Sequence, residues 1–246
     1  MFNGTMTFKS ISSSTLGLIL TEPPQIEHSQ LQDDNEIVVP GRNGYLYSVD
    51  QSRGSAAINV KLALYKPGYA SGYTDGAYRT AVRAVYDWLS GSGTLTFSDF
   101  ANAYYEVQKV EITSDTREVV NFGTIEAKLT VYPLEFKSTP TKSNYTISPS
   151  SSVTVALDGN YGEPLYEVTT GSSGGTVTIN GHTITVAASQ TFNIDVRRRM
   201  AYTGSTDKSN KMSGDYSGMI LGSSNTITTD AGMTFKIVSS RDGYKI

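Results

Sequence analysis

The chain has 246 residues, 38% of them hydrophobic and only 17% charged, with 23 Gly, 16 Tyr and no Cys. That length can bury one large or two small cores, and low charge with frequent turn residues favours strands over helices. A formal net charge of -3 supplies no basic field to attract nucleic acid, and the lack of Cys removes disulfides, thiolate metal sites and a thiol nucleophile while leaving the redox compartment open.

The chain starts "MFNGTMTFKS", without a basic segment followed by an apolar one, so no secretory signal is expected. The apolar part of "STLGLILTEPP" falls far short of the roughly 18 residues a spanning helix needs. A soluble protein made inside a cell, with no membrane insertion, is the expectation.

At 37–47 the chain reads "IVVPGRNGYLY". Pro40 ends the incoming strand by removing a backbone donor, and Pro40-Gly41 suits a tight turn with positive φ at the glycine. Asn43-Gly44 offers a second turn before Tyr45 and Tyr47 resume a strand. No helix follows whose N-terminus would receive a phosphate, so the glycines serve backbone angles. Arg42 is left without a reason in a bare turn.

"AAINVKLALY" alternates Ile58, Val60, Leu62 and Leu64 against Asn59 and Lys61, which predicts a half-buried strand over 57–65. "TDGAYRTAVRAVYDWLSGSG" then places Tyr78, Val82, Val85 and Leu89 on one helical face with Trp88 beside it. A helix over about 75–90 is predicted, capped by Thr74 or Asp75 and ended by a left-handed Gly91. Strands follow in "TLTFSDF", in "YYEVQKVEI", where a phase shift between Val107 and Val110 predicts a bulge, and in "TIEAKLTVYPLEF".

Composition changes at "KSTPTKSNYTISPSSS" (137–152), which reads as a linker ending in a first edge strand. Beyond it, "TVTINGHTITV" is a hairpin with a two-residue type I′ turn at Asn180-Gly181. "TFNIDVRRRMAY", "NTITTD" and "MTFKIVSS" supply further short strands, the pattern of a β-sandwich. Two domains are expected, 1–140 and 141–246.

No catalytic constellation emerges. Asp33, Asp34, Glu36, Asp158, Glu163, Asp207 and Asp215 lie in polar, turn-like stretches and are expected to be solvated. "DDNE" and "DGNYGE" carry oxygen donors but not the spaced loop of an EF-hand, so no metal is expected. His28 and His182 fall in different predicted domains. No G-x-S-x-G elbow is present, and "GSSGG" is a flexible loop without a base. No cofactor is implied.

In strand phase Phe192, Ile194 and Val196 share a face with Arg198, while Arg197 and Arg199 point away. A strand leaving the core is expected there, its charges in solvent or paired across a subunit boundary. A ligand contact through Arg198 is the other reading. For stacking a sugar, the second domain offers Tyr161, Tyr166, Tyr202 and Tyr216.

The order of motifs resembles the distal tail (Dit) proteins of long, non-contractile-tailed bacteriophages. The residues that carry the resemblance are "FNGTMTF", Pro23-Pro24, "VVPGRNGYL" at 38–46 and the strand at 57–65. The helix ending "DWLSGSG" and "LTFSDFANAYYEV" with its Tyr104-Tyr105 pair continue the match. "NIDVRRRMAY" and "GDYSGMILGSSNTIT" resemble the family's C-terminal half more loosely. Leu221-Gly222 stands where family members often carry Pro-Gly.

The resemblance implies a mainly β fold. A β-rich ring-forming domain with one α-helix comes first, followed by a galectin-like β-sandwich. It implies a non-enzymatic virion protein at the distal tail tip (the baseplate), made in the bacterial host cytoplasm. Six copies would form a ring joining the tail tube above to tail-associated and receptor-binding proteins below. DNA would pass through the channel without specific binding, as a non-basic bore allows. Pro40, Gly41, Arg42, Asn43 and Gly44 would then lie at or near a subunit boundary. The alternative is a carbohydrate-binding module that touches cell-wall saccharide through the C-terminal sandwich.

Overall fold

The computed structural model describes residues 4–30, 35–38, 45–48, 53–65, 75–119 and 122–246. The chain divides into two compact units, Met1–Glu135 with Ile246, and Phe136–Lys245.

Unit 1 begins with β1 (Met6–Phe8) and β2 (Ile11–Ser12), joined by Lys9 and Ser10 in left-handed conformations (φ 51 and 64). Next come β3 (Leu18–Leu20), β4 (Gln25–Glu27) and an antiparallel pair, β5 (Asn35–Val38) and β6 (Tyr45–Ser48). β7 (Ala56–Tyr65), α1 (Asp75–Trp88), β8 (Gly93–Phe97), β9 (Ala103–Val119) and β10 (Phe122–Val131) complete it. The antiparallel sheet runs β2-β1-β8-β9-β10-β7, with β3 and β4 end to end along the far side of β7. One hydrogen bond from Leu20 N to Gly4 O, 3.0 Å, brings β3 back to the segment entering β1.

The alternation in β7 and β10 makes this sheet one-sided. Ile58, Val60, Leu62, Leu64, Ile125, Ala127, Leu129 and Val131 are buried in one cluster, while Asn59, Lys61, Glu126 and Lys128 remain partly exposed. The predicted helical face of Tyr78, Val82, Val85 and Leu89 is buried in the same cluster, worth about 1.5–3 kcal/mol for each fully buried Val or Leu. Trp88 joins it, donating its indole N–H to Phe8 O at 3.0 Å and meeting the Phe8 ring edge-on. Gly91 is left-handed at φ 67, as expected of a residue that ends a helix. The predicted bulge in β9 is present: Thr130 faces Lys109 and Val131 faces Val107, so Gln108 has no partner on β10.

A short strand, β11 (Leu134–Lys137), spans the division between the units. Unit 2 contains β12 (Ser143–Ile147), β13 (Ser152–Gly162), β14 (Leu165–Thr170), β15 (Gly175–Ile179), β16 (His182–Val186) and β17 (Thr191–Asp195). It continues with β18 (Met200–Thr203), β19 (Thr206–Asp207), β20 (Met212–Ser213), β21 (Leu221–Thr229), β22 (Met233–Ser239) and β23 (Asp242–Lys245). One sheet runs β12-β22-β14-β17-β18-β19, so the Ser/Thr/Pro-rich stretch ends in an edge strand. The other runs β23-β13-β21-β15-β16-β20. Val155, Val177, Ile184 and Ile227 from one sheet and Ile147, Val168, Phe192 and Phe235 from the other share a single core. That is a β-sandwich.

The Asn180-Gly181 turn is as predicted, with φ 49 and 88 and with Ile179 opposite His182. Asn180 also clamps the neighbouring strand: its side chain donates to Asn225 Oδ1 and accepts from Thr226 N, both at 2.9 Å.

Two expectations fail. "DGNYGE" is not a turn-like stretch, because 158–162 lie in β13. There the register against β21 jumps from Ala156–Ser224 to Tyr161–Gly222, yet burial keeps alternating through Leu157 and Gly159, and Gly159, whose Cβ would lie 2.4 Å from Gly243 O, has no apolar side chain to mark the strand. The three arginines do not continue a strand either. β17 ends at Asp195 and the chain turns through 196–199, closed by Arg199 N bonding Val196 O at 3.2 Å.

Candidate functional site

The acids are mostly consumed by local structure. Asp158 is exposed and paired with Lys137 at 2.5 Å. Asp207 and Asp215 accept from the backbone and hydroxyls of Ser209 and Ser217, which hold both carboxyls below the usual range. Glu36 lies on β5, whereas Asp33 and Asp34 fall outside the described residues. Glu163 corrects the expectation of a solvated acid. It is 7% exposed, takes the Tyr161 hydroxyl at 3.1 Å, and has Arg197 Nε at 4.0 Å from its other oxygen. Among the described residues no three His, Asp or Glu side chains gather as metal ligands, and no helix is long and apolar enough to cross a membrane. His28 and His182 are both exposed, one in each unit.

On unit 1, a shallow groove of about 210 Å³ is lined by Glu22, Gln25, Asn59, Lys61, Thr113 and Glu126. Its walls are stitched together: Lys61 pairs with Glu126 and Lys128 with Glu27, each at 2.9 Å, and Asn59 donates to Glu27 at 2.7 Å. Lys128 and Asn59 hold the Glu27 carboxyl below its ordinary range. Exposed pairs of this kind add little stability, but they answer the charges of Lys61 and Glu126 in the groove.

On unit 2 the four candidate tyrosines do not form one platform. Tyr166 is a correction, because it is fully buried, donates to Met219 O at 2.9 Å and stacks on Phe235 with ring centroids 4.6 Å apart. Burial pushes its hydroxyl well above the ordinary value and leaves no ring face for a sugar. Its phase was readable, since Tyr166, Val168 and Thr170 occupy alternate positions and are all buried. Tyr216 lies in the turn before β21, its hydroxyl 3.5 Å from Ser209 Oγ, and Ser209 in turn receives Ala201 N of β18, the strand that carries Tyr202. Tyr161 makes separate contacts, with Glu163 and with Lys245, whose Nζ lies 4.5 Å from the ring centre. Burial first, then Glu163, raises the Tyr161 hydroxyl, with Arg199 opposing.

The arginine turn is organised by a residue the sequence reading passed over. Asp195 is 1% exposed and accepts Arg241 Nη1 at 2.9 Å and the backbone N–H of Arg198 at 3.2 Å. Arg198 Nε lies 3.9 Å from its second oxygen, and Arg197 packs 5.3 Å from the Phe136 ring centre. The available signal was an acid three residues before an arginine at the end of an apolar run, the spacing of a side chain that caps its own turn.

The loop Pro40–Gly44 lies outside the described residues. The strands that bracket it pair from Asn35–Ser48 to Val38–Tyr45, as two strand-like halves around a turn require.

The fold is thus that of a mainly β protein, an antiparallel sheet with one α-helix among the described residues, followed by a β-sandwich. No family model and no curated protein matches the chain. Among solved structures, it is similar to the crystal structure of SPP1 Dit (gp 19.1), described as a paradigm of the hub adsorption apparatus in phages that infect Gram-positive bacteria. The TM-score is 0.65 at 13% identity, over 95% of this chain and 97% of that one. The two proteins share a fold along nearly their whole lengths.

Proposed function

We propose that this chain is a structural component of a bacteriophage tail tip: a homohexameric hub of the distal tail type. It would join the tail tube to tail-associated and receptor-binding components around a channel for DNA. The observation that carries the reading is the end-to-end similarity of fold to SPP1 Dit, covering 95% of this chain and 97% of that one. The motif order read in unit 1, from "FNGTMTF" to Tyr104-Tyr105, agrees with it. In this reading unit 1 builds the ring, unit 2 is an outer galectin-like sandwich, and the protein performs no chemistry.

Closing a ring by rotation needs two different patches on each subunit. Ile11 and Phe100, 44% and 52% exposed on unit 1, are apolar surface that a neighbour would cover. Arg42 in the Pro40–Gly44 loop is assigned to the same boundary, where its planar fork would pair with a carboxylate of the next subunit.

Light scattering on the purified protein tests the reading. Six copies of the 26.6 kDa chain give about 160 kDa, and negative-stain images should show six-fold rings. A protein that stays at the monomer mass, both alone and mixed with the tail tube protein of the same phage, overturns it.

A further inference from the structure

The division of the chain returns one residue to unit 1: Ile246, joined by a single peptide bond to β23 of unit 2. Its side chain is 6% exposed and belongs to the unit 1 core. Its N–H donates to Pro133 O at 3.2 Å, and its carbonyl accepts both the Ser29 N–H, at 3.1 Å, and the Ser29 hydroxyl. Ile246 therefore bridges the chain that follows β10 and the chain that follows β4.

Ser29 matters for what lies beyond it. It is buried, so both of its donors would go unanswered away from water if the Ile246 carbonyl withdrew. Its own carbonyl accepts Arg53 Nη1 at 2.9 Å, and Gly54 N donates to Gln30 O at 3.0 Å. Residues 29–30 and 53–54 are thereby pinned to each other, and in sequence they flank β5 and β6 on either side.

β5 and β6 take no part in the larger sheets. They form a two-stranded sheet of their own, bonded to no other described strand. A lone two-stranded hairpin is marginal in water, so such a pair depends on the backbone at its root. That root closes on Ile246.

We propose that Ile246 is a latch for the root of β5 and β6. Its seat between Pro133 and Ser29 orders residues 29–30 and 53–54, and the peptide bond to β23 makes that order conditional on the fold of unit 2. Unseating Ile246 frees the pinned ends, while β7 and β10, paired residue by residue along their lengths, stay together. The latch is a property of the protomer and stands whether or not the chain assembles as a hub.

Amide hydrogen exchange of the full chain, read by mass spectrometry or by resonances, tests it. Ile246→Ala should speed exchange at Ser29, Gly54 and along β5 and β6 about tenfold, with the paired amides of β7 and β10 changing by less than about twofold. Ser29→Ala leaves the core residue in place, removes one of the two donors and should give the same pattern more weakly. Leu129→Ala opens a cavity in the same core from within β10 and controls for lost packing: it should speed β7 and β10 without singling out the root. Asp242→Asn disturbs the first residue of β23, whose carboxylate bonds Thr141 and Ser240 of unit 2, and should speed exchange at Ser29 and Gly54 more than along β7. Root amides unchanged in Ile246→Ala or in Asp242→Asn overturn the proposal. So does a rise shared equally with β7 and β10, or a root-selective rise in Leu129→Ala.

Discussion

Asp242 shows how one residue ties stability to pH. It is fully buried in unit 2, and burial alone would raise its pKa. The Ser240 hydroxyl, the Thr141 hydroxyl and Thr141 N, the last at 2.8 Å, outweigh that cost and hold the carboxyl below its ordinary 3.8. A depressed native pKa contributes stability that is complete above the unfolded-state pKa and lost as pH falls through the native one. Asp242→Asn keeps the shape but turns one acceptor into a donor facing Thr141, so urea unfolding at pH 7 should show a loss of about 1–3 kcal/mol. The difference between wild type and variant should shrink as pH is lowered below 3.8. A gap that is constant across pH would mean that the Asp242 charge contributes nothing. Single residues were also where the sequence was hardest to read. Glu163 and Asp195 are acids that sequence composition assigns to solvent or leaves unremarked. Tyr161 is only two residues from Glu163, but it is the sandwich that brings Arg197 to Glu163 and Arg241 to Asp195 from farther along the chain.

Periodicity carried the elements far better. Strict alternation in β7 and β10 and the four-residue face of α1 are local signals of burial, and each reappears as one side of the unit 1 core. The Asn180-Gly181 hairpin was legible because only a few residues tolerate two consecutive positive φ angles. Where a position carries no side-chain signal, the reading failed: Gly159 sits in β13 where a buried apolar residue would have marked the alternation, and three arginines in a row carry no phase at all. The meeting of α1 with β10 was equally invisible, because it rests on a glycine that leaves no pattern. A Cβ at Gly123 would lie 2.0 Å from the Tyr78 hydroxyl and 3.1 Å from Thr116 O. Tyr78 is further held by Arg117, 4.6 Å from its ring centre. Gly123→Ala should therefore push the first turns of α1 off the sheet and cost about 1–3 kcal/mol in thermal or urea unfolding. The double variant Gly123→Ala with Tyr78→Phe, which removes the clashing oxygen, should recover part of that loss. No recovery would place the strain in the β9–β10 backbone instead.

For the whole molecule, the sequence shows a resemblance that 13% identity to SPP1 Dit would not have suggested. Packing tolerates replacement of most side chains as long as alternation, turn residues and the helical face persist. What such patterning does not record is which surfaces meet another copy, since an interface residue obeys no period. Arg42 is the sharpest case. The sequence sets it between Pro40-Gly41 and Asn43-Gly44, residue pairs that suit tight turns and call for no cation, and the strands that bracket the segment pair with each other. A solvated arginine there could be removed without consequence. An arginine that pairs with a carboxylate across a subunit boundary would leave that acid unanswered when lost, costing assembly and not the folded protomer. Arg42→Ala should accordingly shift the light-scattering mass from that of the proposed hexamer toward smaller species at micromolar concentration. Its urea midpoint, measured where wild type and variant are both dissociated, should stay within about 0.5 kcal/mol of wild type. Arg42→Lys keeps the charge without the bidentate fork and should assemble to an intermediate extent. Equal loss of assembly and of protomer stability would make the loop a folding element, and loss of neither would return Arg42 to solvent.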